Sequence, residues 1–180
     1  IHSVKGSGGL FAKEGAPLAP LLLGGPEQGQ LRGGAFDIPS FMALSAAMQQ
    51  ASLTLDRMNL EVVRLRDLLE HGCKEFFGAQ VVAEETLRLP NVTTLLFPGV
   101  HQEALLYALS RKNLFASIGG PYAQHLHRLL EAMGIDPLLA KTAVSFSLSR
   151  MTTQEEVEKA LHLLGEIVPS LQRLSEGVFR

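Results

Sequence analysis

The clearest pattern in the chain is an apolar stripe in its first half, which recurs at alternating steps of three and four residues. That spacing places the apolar side chains on one face of a helix. The stripe consists of Phe41, Leu44, Met48, Ala51, Leu55, Met58, Val62, Leu65 and Leu69. Asp37 and Pro39 suit the start of a helix, and His71-Gly72 suits its end. The pattern therefore predicts one long helix over residues 37–71.

Two short apolar segments precede this helix, and each predicts a strand. Residues 8–13 are flanked by glycine and charge, and residues 18–23 contain or follow prolines that favour a sheet edge. Two short strands cannot bury themselves. We therefore expect them to complete a sheet whose other strands lie upstream of Ile1.

The second half of the chain alternates between short apolar runs and amphipathic segments. Strands are predicted over residues 92–97, 114–117 and 143–148, and helices over residues 102–110, over residues 122–133 and from Thr153 onward. Thr153 and Glu156 have the spacing of a capping box. The apolar face of the last helix comprises Val157, Leu161, Leu164, Ile167 and Val168. This alternation predicts an α/β or α+β fold with helices over a small sheet.

Composition narrows the class of protein. Of 180 residues, 46% are hydrophobic and 19% are charged, which suits a packed core and argues against disorder. The net charge of −2 provides no positive surface potential that would attract nucleic acid. No apolar run reaches the length of a membrane span. One cysteine and no signal peptide favour a reducing, cytoplasmic compartment. The start at Ile1 without methionine indicates a piece of a longer protein.

Few residues offer chemistry by themselves. The six histidines lack carboxylates or cysteines at ligand spacing, and His125 and His127 are expected to face different sides of a helix, so no metal site is predicted. Lys74 could lower the thiol pKa of Cys73, although an incidental thiol is commoner. The glycine-rich residues 24–34 permit positive φ or close backbone approach, and Arg32 among them can aim a planar cation at an anion. A mobile surface loop is the alternative interpretation.

Several motifs occur in an order that resembles one enzyme family. They are Lys5-Gly6-Ser7-Gly8-Gly9-Leu10-Phe11, Gly24-Gly25, Leu31-Arg32-Gly33-Gly34, Leu89-Pro90-Asn91, Phe97-Pro98-Gly99-Val100 and Phe146-Ser147-Leu148-Ser149-Arg150-Met151-Thr152-Thr153-Gln154-Glu155-Glu156. Their order and spacing resemble the C-terminal half of the cysteine desulfurases, class V relatives of the pyridoxal-phosphate aminotransferases. The resemblance covers nearly the whole chain, and its last segment is the most specific.

The resemblance implies an α/β fold, namely the C-terminal portion of a fold type I pyridoxal-phosphate transferase. Residues 1–36 would end the large cofactor-binding domain and its sheet, residues 37–71 would form the linking helix, and residues 72–180 would form an α+β small domain. The lysine that forms a Schiff base with the cofactor would lie directly before Ile1, so no catalytic residue is expected in this chain. A homodimer, a missing N-terminal half and a small amino-acid substrate are the implied partners, with no nucleic acid and no membrane.

The resemblance also marks positions beside the cofactor and the substrate. On the cofactor side the candidates are His2, Arg32, Gly33, Gly34 and Ala35, and on the substrate side they are Ser117 and Ser145. Ala35 stands where the family usually has a threonine that reaches a neighbouring subunit's cofactor phosphate. Ser145 stands where the family usually has an arginine for the substrate carboxylate, and serine supplies no charged clamp. The loop after Ser117 lacks the family's sulfur-accepting cysteine.

Three functions follow as hypotheses. The first is the C-terminal part of a pyridoxal-phosphate enzyme of desulfurase type that acts on an amino acid, with desulfurase chemistry itself disfavoured by the missing groups. The second is a non-catalytic relative that serves dimerisation or partner binding. The third is an α/β binding module without a cofactor, which the resemblance makes the weakest of the three.

Overall fold

The computed structural model describes residues 1–120 and 125–178, and the chain divides into two compact units, Ile1–Leu55 and Asp56–Arg180. Ile1–Leu55 contains one regular helix, α1 (Ile38–Leu53), and a 3-10 turn at Glu27–Gln30. Asp37 caps α1, because its carboxylate accepts hydrogen bonds from the Ser40 backbone N–H at 3.2 Å and from the Ser40 hydroxyl at 2.6 Å. The start of the helix is therefore where the sequence predicts it.

The two strands predicted before α1 are wrong for this structure, since residues 1–26 contain no strand. A strand needs a neighbour to accept and donate its backbone hydrogen bonds, and the residues of this unit provide none. Apolar side chains in the two segments are consequently exposed, with Leu10, Phe11 and Leu21 at 79%, 89% and 93% of full exposure.

Amide hydrogen exchange is expected to separate these segments from the sheet of the second unit. Residues 8–23 should exchange fast, whereas the strands around residues 92–97 and 143–148 should be protected, because only the latter have paired backbones and buried side chains. The measurement is exchange followed by mass spectrometry on monomeric chain. Equal protection of both regions would contradict the view that residues 8–23 lack their partner strands.

The second unit, Asp56–Arg180, contains a three-stranded antiparallel sheet in the order β1 (Gln80–Val81), β2 (Val92–Leu96), β3 (Ala143–Ser147). Its helices are α2 (Leu55–Arg57), α3 (Val63–Phe77), α4 (Gln102–Arg111), α5 (Leu126–Ala132), α6 (Pro137–Ala140) and α7 (Gln154–Val178), with a π turn at Met58–Val62. Helix α2 starts at Leu55, the last residue of the first unit. The structure is thus mixed α/β, as predicted.

Most elements predicted for this unit are confirmed. The strands over residues 92–97 and 143–148, the helix over residues 102–110 and the capped last helix agree within a residue. The capping box is formed, with the Glu156 N–H donating to Thr153 Oγ1 at 3.3 Å and the Thr153 N–H donating to Glu156 Oε2 at 2.9 Å. The predicted strand over residues 114–117 is reduced to one bridge at Ser117. The predicted helix over residues 122–133 is present from Leu126, and residues 121–124 lie outside the described part.

The long predicted helix is interrupted, and it ends later than predicted. Thr54 departs from helical geometry after α1, with φ −104° and ψ 7°. The predicted end at His71-Gly72 is wrong, because α3 continues to Phe77 and ends at Gly78, whose φ is +62°. Gly72 lies inside α3 for a packing reason: a Cβ at Gly72 would lie 2.6 Å from Leu161 Cδ2 of α7. The glycine therefore permits close approach of two helices rather than stopping one.

The core of the second unit lies between the sheet and helices α3, α4 and α7. Its fully buried side chains come from every one of these elements, and they include Leu65, Leu69, Leu95, Phe97, Leu105, Leu109, Val144, Leu164 and Val168. The C-terminal part of the predicted apolar stripe is therefore core, whereas Phe41, Met48 and Leu55 of the same stripe are exposed. No helix in the described residues is long and apolar enough to cross a bilayer.

A buried ion cluster, formed by Arg66, Glu70 and Arg88, joins α3 to the segment before β2. Arg88 donates two hydrogen bonds to the Glu70 carboxylate, at 2.7 and 3.1 Å, and Arg66 Nε lies 3.5 Å from the same carboxylate. The side chains of Glu70 and Arg66 are only 7% and 10% exposed. Burial alone would raise the pKa of the Glu70 carboxyl, but the Arg88 hydrogen bonds and the two guanidinium charges outweigh burial and hold that pKa below its usual value.

Candidate functional site

The two positions predicted on the substrate side, Ser117 and Ser145, lie side by side. The Ser117 N–H donates to the Ser145 carbonyl at 2.9 Å, and the Ser145 N–H donates to the Ser117 carbonyl at 2.8 Å. This bridge lies on the edge of β3 that does not pair with β2. Ser117 is exposed and Ser145 is half-buried, so the pair forms an accessible edge of the sheet.

The described residues on either side of 121–124 lie close together, since Gly119 pairs with His125. The Gly119 N–H donates to Ser117 Oγ at 3.2 Å, and Gly119, with φ +104°, pairs with His125 in a second antiparallel bridge. The Leu126 N–H also donates to the Ile118 carbonyl at 3.0 Å. These bonds place the backbone of His125 against Gly119, two residues after Ser117.

The imidazoles of His125 and His127 are stacked, with 5.4 Å between ring centroids and 29° between ring planes. The prediction that these histidines face different sides is wrong. His125 precedes α5 with extended geometry, φ −68° and ψ 127°, so helical spacing does not apply to it. His127 in turn lies 3.3 Å from the side-chain amide of Gln102, measured between His127 Nδ1 and Gln102 Nε2. Sequence reasoning missed this group, and the signal for it was the His-x-His pair that follows Gly119-Gly120 in the sequence.

The glycine-rich segment of the first unit shows both features that the sequence predicts for its glycines, close backbone approach and positive φ. A Cβ at Gly33 would lie 2.6 Å from the Gly24 Cα, and the Gly33 N–H donates to the Leu22 carbonyl at 3.0 Å. Arg32 donates from Nη1 to the Gly33 carbonyl. Gly34 has φ +104°, and its N–H lies 3.4 Å from Glu27 Oε2. Side chains at these positions would prevent the fold of the segment.

A hollow of about 260 Å³ lies beside Arg32, within the first unit. Its lining includes Ser7, Arg32, Ala35, Asp37 and Ser40. Of the residues predicted on the cofactor side, Arg32 and Ala35 therefore line the hollow. Gly33 and Gly34 form the adjoining turn, and His2 is an exposed residue with φ +61° that is not part of the lining.

A site for pyridoxal phosphate needs hydrogen-bond donors for the phosphate and a lysine for the Schiff base. Arg32 and the hydroxyl of Ser7, which has no hydrogen-bond partner among the described residues, are suitable donors. The Ser40 hydroxyl is bonded to Asp37, however, and the lining contains a carboxylate and no lysine. The hollow therefore does not form a pyridoxal-phosphate site by itself.

Cys73 lies in the core of the second unit, where its exposure is 0%. Burial, reinforced by the nearby charge of Glu70, raises the pKa of the Cys73 thiol to about 12. Lys74 does not lower it, because the Lys74 ammonium binds the Glu84 carboxylate at 2.8 Å. The structure thus favours the interpretation of an incidental core thiol. Within residues 1–120 and 125–178, no cluster of three histidine, cysteine, aspartate or glutamate side chains has metal-site geometry.

Comparisons with known proteins agree with the family that the motifs resemble. The family described as Aminotransferase class-V matches residues 6–160, so the chain belongs to the class V aminotransferase family. Within that family it is 33% identical to cysteine desulfurase 2 of Trichormus variabilis over 179 residues, which is 97% of this chain and 45% of the relative. It is 32% identical to cysteine desulfurase NifS of Azotobacter vinelandii, over 97% of this chain and 44% of the relative.

The fold agrees with part of a solved structure from the same group. A NifS-like protein superposes with a TM-score of 0.78 at 28% identity, covering 88% of this chain and 41% of that chain. The resemblance to the cysteine desulfurases is therefore confirmed. The chain spans less than half the length of these relatives.

Proposed function

We propose that this chain is the C-terminal part of a pyridoxal-phosphate enzyme of the cysteine desulfurase type that acts on a small amino acid. The observation that carries the proposal is the match to relatives named cysteine desulfurase along 97% of the chain. In this proposal residues 1–36 end a large fold type I domain, and residues 72–180 form the small domain. Residues 37–71 form the helix that connects the two domains. The rest of the large domain, including the lysine that binds the cofactor, comes from the portion before Ile1.

The exposed apolar residues of the first unit support a missing partner segment. Leu10, Phe11, Leu21 and Leu23 are 79–93% exposed, which is unusual for side chains of this size in such close succession. Strands of an N-terminal half would pair with residues 8–23 and cover these side chains. A homodimer in the cytoplasm is part of the same proposal.

In this proposal the residues of this chain shape the cofactor side and the substrate side of the site. Pyridoxal phosphate, when bound, supplies the electron sink for amino-acid chemistry. Arg32 would supply positive charge to the cofactor side, with Gly33 and Gly34 fixing its turn and Ala35 and His2 as neighbouring positions. Ser117 and Ser145 would line the substrate side, where their paired backbones hold the sheet edge in place.

Sulfur transfer is disfavoured within this proposal. The chain has one thiol, Cys73, which is buried and has a raised pKa, so it is a poor sulfur acceptor at neutral pH. Ser145 also cannot make the bidentate, charged contact that arginine makes with a carboxylate. A different amino acid or a different reaction on the same cofactor fits these residues better.

A non-catalytic relative is the second candidate function. It is favoured by three departures in one chain, at Ala35, at Ser145 and in the loop after Ser117, although the core of the second unit is intact. Such a protein would keep its fold for dimerisation or partner binding while its chemistry is lost.

A chimera distinguishes these two candidates. The N-terminal portion of the Trichormus variabilis cysteine desulfurase 2 is joined to this chain where the match begins, and amino-acid conversion is measured with L-cysteine and a panel of other small amino acids. The enzyme proposal predicts turnover of one or more of them, with little sulfide from cysteine. Folded, cofactor-loaded chimera without turnover of any of them would favour the non-catalytic relative.

A further inference from the structure

We propose that a cavity beside α7 binds a small aromatic carboxylate, whose ring lies in the cavity and whose carboxylate pairs with Lys159. This α7 cavity has a volume of about 370 Å³ and lies within the second unit. Its lining includes Leu69, Phe115, Phe146 and Ala160, with the ammonium-bearing side chains of Lys112 and Lys159. The volume falls in the range of small-molecule sites, roughly 300–1,000 Å³.

The inference goes beyond the proposed function and does not rest on it. The positions predicted on the substrate side, Ser117 and Ser145, are not part of the lining of the α7 cavity. Binding there would therefore give this chain a second ligand, separate in chemistry from the amino acid of the proposed reaction.

The apolar part of the α7 cavity comes from three elements of the core. Leu69 of α3, Phe146 of β3 and Ala160 of α7 line it, although they are only 3%, 4% and 7% exposed. Side chains this deep in a domain are normally covered by other side chains, because protein interiors are close-packed. The cavity thus reaches into the core, and an apolar ligand body that fills it is favoured by the removal of apolar surface from water.

Phe115 adds an exposed aromatic side chain to the same lining. It is 76% exposed, so a ligand that covers it buries a large apolar surface. The cavity therefore offers one buried and one exposed phenyl ring, Phe146 and Phe115. Aromatic pairs stabilise a contact by more than the area that they bury, and this favours an aromatic ligand over an aliphatic one.

The charged groups of the lining favour an anion. They are Lys112, Lys159 and Glu156, and the Glu156 carboxylate already accepts the Thr153 N–H at 2.9 Å. Lys112 lies 3.7 Å from Glu166, and both side chains are about half exposed, at 55% and 51%, so this pair is weak and the lysine stays accessible. Lys159 is exposed and makes no ion pair with any described residue. The lining thus carries one more positive than negative charge, which matches a carboxylate.

The test uses the 180-residue chain and 3-phenylpropanoate, followed through the backbone amide signals in NMR spectra. Millimolar 3-phenylpropanoate should shift the signals of residues that line the α7 cavity in a saturable way. Neutral 3-phenylpropanamide should bind about fivefold more weakly, and Lys159→Gln should weaken binding of the carboxylate about fivefold, as expected for one exposed charge pair. Lys141→Gln is the matched control, because this lysine is exposed at the end of α6 and is not part of the lining. It should bind both compounds as the parent chain does.

A second variant tests the cavity itself. Ala160→Met extends an apolar side chain from α7 into the cavity and should abolish saturable binding of both compounds, with the fold checked in the same spectra. Binding that persists in folded Ala160→Met, or shifts confined to residues 8–23 of the first unit, would overturn the proposal. Equal affinity for the carboxylate and the amide, or unchanged affinity in Lys159→Gln, would overturn it as well. Lys159 is exposed, so its variant keeps the core intact and decides the question even if Ala160→Met does not fold.

Discussion

Glu70→Gln is expected to lower the free energy of unfolding of the second unit by about 3–5 kcal/mol, the usual cost of removing one partner from a buried ion pair. The substitution leaves Arg66 and Arg88 with side chains only 10% and 15% exposed and without their shared carboxylate. Arg66 keeps a second carboxylate partner, Asp67 at 2.7 Å, but the Asp67 side chain is half-exposed and compensates less for the lost charge. The measurement is urea unfolding of the variant and the parent chain, read from the helical signal.

The matched control is Glu61→Gln, which removes an exposed ion pair just before α3. Glu61 lies 2.8 Å from Arg64, and both side chains are about half exposed, at 46% and 50%. Exposed pairs contribute roughly 0–1 kcal/mol, so this variant should unfold almost as the parent does. Equal losses of unfolding free energy in the two variants would contradict the claim that burial makes this ion cluster important for stability.

The pH dependence of the Glu70 contribution follows from its lowered pKa. The carboxylate is stabilised in the folded chain, so its contribution is fully present above the unfolded-state pKa, about 4.3, and is lost as the pH falls through the lower folded-state pKa. The parent chain should therefore lose stability on acidification below about pH 5 more steeply than Glu70→Gln.

Cys73 is expected to react with iodoacetamide about a thousandfold more slowly in the folded chain than in the unfolded chain at pH 7.5, from the thiolate population alone. Its pKa is raised from 9.0 to about 12 by burial and by Glu70, and each pKa unit lowers the thiolate fraction about tenfold. The measurement is the alkylation rate by mass spectrometry, with the chain in urea as the control. Similar rates in the two states would show that the thiol is accessible and ionisable.

The same raised pKa has a consequence for stability and one for sulfur chemistry. Because the folded chain keeps the Cys73 proton that the unfolded chain releases, the contribution of Cys73 to stability is intact below about pH 9 and declines as the pH rises towards 12.

In the chimera, Cys73→Ala should leave the low sulfide production unchanged. Persulfide on Cys73 that disappears in Cys73→Ala would assign the sulfur-accepting role to this thiol.

The second unit was largely predictable from sequence, because its elements carry their own signals. Strands β2 and β3 carry apolar residues that become buried, Leu95 and Leu96 in β2 and Val144 and Phe146 in β3, and α7 begins with a formed capping box. Local pattern and tertiary packing agree in these segments. The family could also be identified, since its motifs depend on glycines and on the Phe146–Glu156 segment rather than on distant contacts.

The remaining features depend on residues that are far apart in sequence. Gly72 has the composition of a helix end, yet contact with Leu161 places it inside α3. The stacking of His125 on His127 depends on the bridge from Gly119 to His125, and the ion cluster requires Arg88 to reach Glu70, 18 residues away. Residues 8–23 have strand composition, but the structure forms no strand there, because the first unit offers no neighbouring strand to pair with.

The most direct test of the central proposal is cofactor retention by the chimera of the Trichormus variabilis N-terminal portion with this chain. After incubation with pyridoxal phosphate and borohydride reduction, intact mass and peptide mapping should show equimolar cofactor fixed on a lysine of the N-terminal portion. The N-terminal portion alone and the 180-residue chain alone should retain far less. Retention by the chimera no greater than by the N-terminal portion alone, or fixation on Lys5 of this chain, would contradict the account.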